Sequence, residues 1–413
     1  MSEFAEKIQK YADVAVHVGL DFKAGQRLWI TASLEARELA IALTRSAYKA
    51  GAEDVFVSWT EPELDQIRLR EGSDVAVEAY PQWVVDGLLN HTDEGHARIS
   101  ISCADPDFFG DEDADRLQKM QRSRAIKTAP VSDRVVKNVA NWLIVMSPHP
   151  AISAKLFPEL SAEDARRKHW ETIFTMCRIE GADPVQDWVD HIANLTKRAQ
   201  YLTQKKYHAL HYQSPITDLT IGLPDNHLWE TARLTMSNGT KPVVNIPTEE
   251  VFTLAHRERI TGVVKSTKPL SWNGTIIENF TLQFSEGDVV SAKAERGQSA
   301  LDTLLSTDDG ARSIGEVALV PHSSPISQSD LLFFNTLYDE NASNHLALGR
   351  AYRFTMENGT SMSDDDFAEA GGNNSLVHVD FMMGSGDMNI DGINADGTRD
   401  PIFRNGEWAF EVS

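Results

Sequence analysis

The residues of this chain with the clearest chemical potential are acids and imidazoles near its C-terminal end. His378-Val379-Asp380 lies in Ser-Leu-Val-His-Val-Asp-Phe-Met-Met (375–383), an apolar run that reads as a buried strand. Residues i and i+2 of a strand share a face, so one imidazole and one carboxylate aim into the same pocket. Upstream stand Glu250 in Asn-Ile-Pro-Thr-Glu-Glu-Val-Phe-Thr, Glu316 in Ile-Gly-Glu-Val-Ala and His345 in Asn-Ala-Ser-Asn-His-Leu-Ala-Leu-Gly. Carboxylates and imidazoles without a thiolate suit Zn, Mn, Co or Mg rather than a structural thiolate site. The pattern points to a hydrolytic metal centre, although any one of these residues alone is more simply a satisfied core or surface side chain.

Such residues need elements to hold them. Apolar positions Phe4, Ile8, Tyr11, Ala12 and Ala15 form a helical stripe over residues 3–18, which Gly19 ends. A strand at Arg27–Ala32, a helix at Leu34–Ala50 and a strand at Val55–Trp59 make a parallel β-α-β unit. Further strands are expected at Ala97–Cys103 and Asn141–Met146, and residues 151–207 read as mainly helical, with Ser161 an N-cap and Asp183-Pro184 opening a long helix. After Gln213 short apolar runs alternate with Gly, Asn, Pro and Asp: Asp218–Leu223, Thr261–Lys265, Ile277–Phe284, Val289–Ala294 and Glu316–Val320. The expected fold is α/β, with an α/β N-terminal domain over 1–214 and a β-rich α+β catalytic domain over 215–413.

The 413 residues carry a formal charge of −22. That argues against nucleic acid, whose phosphates require Lys and Arg, and against an anionic membrane surface. No apolar run reaches 18 residues and the polar N-terminus does not read as a signal peptide. With only Cys103 and Cys177 and no C-x-x-C, a disulfide framework is excluded and a cytoplasmic location is expected.

Longer stretches sharpen the reading. Asn245-Ile-Pro-Thr-Glu-Glu-Val-Phe-Thr253 with His256-Arg257, Gly315-Glu-Val-Ala318, Leu332–Gly349 (containing Tyr-Asp-Glu-Asn-Ala-Ser-Asn-His) and His378-Val-Asp-Phe-Met-Met-Gly384 resemble the metallo-aminopeptidase family of aminopeptidase T, aminopeptidase S and PepS. The resemblance runs over nearly the whole chain. It implies a cytoplasmic homodimeric aminopeptidase with two divalent metal ions per chain (Zn, Co, Mn or Mg). It further implies Glu250, Glu316, His345, His378 and Asp380 as ligands and Tyr352 as a catalytic residue. The implied substrates are peptides with a free N-terminus, cleaved by a metal-activated water. Two metals can share one carboxylate and one water; Glu316, between the other ligands in sequence, is expected to bridge and so to count as catalytic. Tyr352 is expected to donate a hydrogen bond to the oxyanion. The family's Phe-Thr-Ala-Pro continuation is Phe252-Thr253-Leu254-Ala255 here, which removes no ligand. Glu249 adjoins the first ligand as either a general base or an exposed neighbour, and His256, Arg257 and Arg259 either line the pocket or form a solvated basic turn. Two other classes stay open: a metallohydrolase of a non-peptide amide or ester, and a non-catalytic metal-binding protein.

Several motifs are set aside. Asp387-Met-Asn-Ile-Asp-Gly392 matches the front of an EF-hand loop, but position twelve is Thr398 rather than Glu, so a hairpin is expected. Gly384-Ser385-Gly386 is not a nucleophile elbow, and Gly371-Gly372-Asn373-Asn374 is not a phosphate loop. His208-x-x-His211 would chelate only on a helix and is read as structural or surface. His91 and His96 read as solvated loop residues.

Overall fold

Four parallel strands come first in the computed structural model, which describes residues 2–272 and 275–412. They are β1 (Arg27–Ser33), β2 (Asp54–Thr60), β3 (Ala97–Ser102) and β4 (Trp142–Met146), in the order β2-β1-β3-β4. On β1, Leu28, Ile30 and Ala32 are buried while their neighbours are less so, the period-two signature of a strand. The crossover from β1 to β2 is the helix Arg37–Lys49, entered by a single 3-10 turn at Leu34–Ala36 and burying Leu39, Ala40, Leu43 and Ala47. Gly51, at φ +89°, turns the chain out of that helix, a backbone state that L side chains resist. The first helix, Glu3–Val14, starts on Ser2, whose hydroxyl accepts from the Ala5 N–H, and runs into a π turn at Ala15–Gly19.

Sequence periodicity did not disclose the helices Pro62–Glu71, Gln82–Asp93 and Ala114–Val136. The first and last bury only Leu69, and Met120 with Val131, so they carry little apolar stripe to read. This corrects the reading of His91 as a solvated loop residue. It sits on the Gln82–Asp93 helix, its Nε2 is 2.8 Å from the Ala97 carbonyl, and burial lowers its pKa to about 4.

The chain divides into two compact units. One comprises residues up to Asp190 together with Ala232–Pro247; the other comprises His191–Thr231 and Thr248 onward. The first holds the parallel sheet, which Asn245 extends by a bridge to Ile144.

The second unit is β-rich. An antiparallel sheet of eight strands contains β5 (Ala209–Ser214), β6 (Thr217–Gly222), β8 (Ile260–Lys265), β11 (Thr281–Ser285), β12 (Asp288–Lys293), β16 (Asn389–Ile393), β17 (Arg399–Arg404) and β18 (Glu407–Trp408). β9 (Leu270–Trp272) and β10 (Thr275–Ile277) pair separately. The expected single run Ile277–Phe284 is therefore divided between β10 and β11, with Asn279 at φ +50° between them. A second antiparallel sheet has the order β15-β14-β13-β7, with β7 (Val251–Leu254), β13 (Ile314–Leu319), β14 (His345–Gly349) and β15 (His378–Met382).

One face of this four-stranded sheet is apolar. Val251, Val317, Leu319, Leu346, Leu348 and Phe381 join one core with Tyr212, Ile221, Val264, Leu282, Ile390 and Phe403 of the larger sheet. Burying each such side chain contributes about 1.5–3 kcal/mol. Because the period is two, the alternate residues of the same four strands face the other way.

Candidate metal centre

Those alternate residues are the acids and imidazoles. Register pairs Glu316 with Ala347 and Ala347 with Asp380, and pairs Gly349 with His378. His345 stands opposite Ala318, which in turn stands opposite Phe252. Directly opposed residues share a face, so Glu316, His345, His378 and Asp380 project together. Glu250 precedes β7 with the parity of Phe252. On β14 the positions after His345 on this face are Ala347 and Gly349, whose small size leaves room for the larger groups on the flanking strands.

Gly315 makes the register possible. The β13–β14 pairing shifts between Ile314 and Glu316, so Gly315 is the extra residue of a bulge. A Cβ there would lie 2.3 Å from the Gly349 carbonyl oxygen, so a side chain would force the two strands apart.

Two groups of potential ligands result. Glu250, Glu316 and His345 offer atoms within 4.8 Å of one another, and so do Glu316, His378 and Asp380. Glu316 belongs to both. Its Oε1 is 3.8 Å from His345 Nε2 and its Oε2 is 4.0 Å from His378 Nε2. His345 Nε2 also lies 3.1 Å from Glu250 Oε2, and His378 Nε2 lies 3.5 Å from Asp380 Oδ1.

The imidazoles are held from behind. His345 Nδ1 is 3.2 Å from the Ser343 carbonyl, and His378 Nδ1 is 2.6 Å from the Arg350 carbonyl. A proton on each Nδ1 satisfies these acceptors and turns Nε2, with its lone pair available to a metal ion, toward the acids, the usual arrangement behind metal-binding histidines.

Burial makes the charges costly. Glu316 is 5% exposed and His345 1%. Burial, with Asp380 and Glu250 nearby, pushes the Glu316 carboxyl up to about 8 against the opposing pull of the two histidines. Burial lowers His345, but Glu250, Asp380 and Glu316 outweigh it and raise the imidazole to about 10; His378 is raised to about 9 in the same way, chiefly by Asp380. Glu316 Oε2 and Asp380 Oδ1 are buried oxygens with no hydrogen-bond partner among the described residues. Uncompensated buried oxygens are expensive, and a cation between the two groups would satisfy both. Oxygen and nitrogen donors without thiolate fit a hard or borderline divalent ion, so this donor set suits the metals expected from sequence.

The structure separates Glu249 from Glu250. The Glu249 carboxylate lies 3.7 Å from His191 Nε2 and its N–H donates to Asn341 Oδ1; it joins neither group. Arg259 donates to the Leu223 carbonyl and lies against the His208 ring, while His211 pairs with Asp218 across β5 and β6 at 2.9 Å. The 387–398 segment is the β16–β17 hairpin, with Asp391 engaged by Arg404 at 2.5 Å.

Tyr352 is close to the acids but not in them. Its ring packs on His378 (4.6 Å between centroids) and stacks on Phe354 (5.3 Å), with Phe252 edge-on at 6.4 Å. The residue as a whole is 39% exposed. Burial and the surrounding carboxylates raise its pKa, so it remains a phenol and a donor.

Sequence reading passed over Glu340. It lies five residues before His345 in a 3-10 turn, Glu340–Ala342. Glu250, Asp380 and Glu316 all act on it, and together with burial they raise its pKa well above the usual carboxylate range. It lines a small pocket with Asp380, Met382, Phe334 and Leu270. Its neighbour Asp339 instead accepts from the Phe333 and Asn335 N–H groups, a turn-building role. Both acids lie in the Tyr-Asp-Glu-Asn stretch, but only the turn geometry distinguishes them.

The comparison that decides the family covers nearly the whole chain: residues 4–408 match the thermophilic metalloprotease (M29) model. The chain belongs to this family. Among its relatives, aminopeptidase AmpS of Bacillus subtilis is 43% identical over 99% of this chain and 100% of its own length. Aminopeptidase 2 of Geobacillus stearothermophilus is 42% identical over the full length of both. The solved structure of wild-type AmpT from Thermus thermophilus superposes with a TM-score of 0.92 at 38% identity, covering 98% of this chain and 100% of that one. The two ligand groups of this family member thus sit on a fold shared with a solved relative.

Proposed function

We propose that the protein is a metal-dependent aminopeptidase that releases N-terminal amino acids from peptides. The observation that carries this reading is Glu316 shared between two ligand groups on one sheet face, in a chain whose relatives are named aminopeptidases. Glu250, Glu316 and His345 would hold one divalent ion, and Glu316, His378 and Asp380 the other. With Glu340, the pocket carries four carboxylates, whose full ionisation two divalent cations balance. Bound ions would polarise the scissile carbonyl and bring a water's pKa toward neutrality.

The chain's own residues do the rest. Glu316, the carboxylate common to both groups, would help to hold both ions and would orient the attacking water. The hydroxyl of Tyr352 donates to the carbonyl oxygen as negative charge develops there. Glu340, outside both groups, offers its carboxylate to the substrate's α-ammonium, which restricts cleavage to the first residue. The proton leaving the water goes to the departing amine as the C–N bond breaks. A catalytic domain over 215–413 would contain every one of these residues.

No helix among the described residues is long and apolar enough to cross a membrane. Two free buried cysteines support a cytoplasmic location, and the family resemblance supports a homodimer.

The test is removal and return of metal. Chelator-stripped protein should lose hydrolysis of leucine p-nitroanilide, and Zn, Co, Mn or Mg should restore it at about two ions per chain. Stoichiometric binding without hydrolysis of amides would refute the aminopeptidase reading, and turnover confined to esters would move the protein to another hydrolase class.

A further inference from the structure

The ligand-bearing sheet extends beyond β7. The Glu230 N–H donates to the Phe252 carbonyl at 2.8 Å and the Phe252 N–H donates back at 3.0 Å, an antiparallel bridge. Opposed residues in such a pair project to the same side. Glu230 therefore continues the cross-strand row His345–Ala318–Phe252 on the face that carries the ligands.

The segment bearing Glu230 is well fixed. The Leu228 N–H donates to the Thr355 carbonyl, the Thr253 hydroxyl donates to the Leu228 carbonyl (each 2.7 Å), and His227 bridges Met356. The adjoining stretch carries Tyr352 and Phe354, which with Phe252 form an aromatic wall. Glu230 thus adds a carboxylate beside an aromatic surface that begins at His378.

Two strand spacings of ~4.8 Å place Glu230 about 10 Å from the strand of Glu316. A peptide rises ~3.3–3.6 Å per residue, so a long side chain on its first or second residue spans that distance. Burial raises the Glu230 carboxyl to about 7, and no basic side chain among the described residues offsets it. A half-buried acid without a counter-charge is an unfavourable arrangement that a cationic ligand reverses, and aromatic faces add attraction for the same charge.

We infer that Glu230 is a specificity-determining residue that receives a lysine or arginine side chain at the first or second position of the peptide. This rests on the aminopeptidase reading. The test compares kcat/KM for arginine, leucine or glutamate at position one (before alanine) and at position two (after alanine). The enzymes are the metal-loaded wild type, Glu230→Gln and Glu230→Lys, with bound metal per chain as the control for folding. Glu230→Gln should lower kcat/KM for arginine at one position by at least about tenfold, mainly through KM, and leave leucine unchanged. Glu230→Lys should transfer the preference at that position to glutamate. Uniform changes across the three residues, or arginine turnover indifferent to both substitutions, would overturn the inference while leaving the aminopeptidase reading intact. A wild type that cleaves none of the panel would refute that reading instead.

Discussion

Glu316 and Asp380 stand in one cross-strand row, separated only by Ala347. Two acids two strands apart are about 10 Å apart at their backbones, yet their carboxylates converge because the intervening side chain is a methyl group. The His378 Nε2 lies between them, 4.0 Å from one and 3.5 Å from the other.

Replacing Glu316 by Gln therefore disturbs both ligand groups at once. Hydrolysis of leucine p-nitroanilide should fall by more than about 100-fold, since even outer partners of metal ligands cost 10–100-fold. Elemental analysis should find fewer than two ions per chain. Unchanged turnover would rule out a shared carboxylate.

Ala347→Leu tests the space rather than the ligands. The larger side chain would enter the gap between Glu316 and Asp380 while every ligand remains. Metal content should fall with the circular-dichroism spectrum retained; full metal loading would show that the row is not what shapes the centre.

Glu249 and Glu250 are adjacent but face different partners. Glu250→Gln should weaken metal binding by at least about tenfold, measured by competition with a chromogenic chelator. Glu249→Gln should leave metal affinity unchanged, because that carboxylate faces His191.

Tyr352→Phe removes one hydroxyl and keeps the ring on His378. If the hydroxyl stabilises the oxyanion, kcat should fall by about 10²–10³ with KM little changed. Equal metal content in both proteins would locate the loss in the chemical step.

The titrating groups give the metal-free protein a distinctive pH response. With folded-state pKa values raised to about 10 for His345 and 9 for His378, both imidazoles hold protons at pH 7, and Glu316, whose titration is tied to theirs, is raised to about 8. Each value lies above the group's ordinary one. Their stabilisation is therefore complete below the unfolded pKa values (about 6.5 for His and 4.3 for Glu) and is lost as pH rises through 8–10. The Tm of the stripped protein should fall over that range. Metal coordination must expel these protons, so calorimetry at pH 7 in two buffers of different ionisation enthalpy should report about two or more protons released per chain. No release would mean that the imidazoles do not ligate.

Residue order alone determined much of this protein. The parallel β-α-β start was legible because Leu28, Ile30 and Ala32 alternate and the 37–49 helix carries an apolar stripe. His378 and Asp380 were legible as a pair because a strand's two-residue period is a local property of the backbone. The long motifs around Glu250, Glu316 and His345 were legible as a family resemblance. Tertiary structure alone decided the rest. The row Glu316–Ala347–Asp380 depends on pairing strands far apart in sequence, and on the bulge at Gly315 that sets their register. The placing of Glu249 toward His191, rather than among the acids, was decided by which side of an extended backbone faces the sheet. Glu340 and Glu230 carry no local signal, since a turn and a single bridge place them. Local periodicity is written in neighbouring residues, whereas the convergence of side chains from separate strands exists only once the chain has paired them.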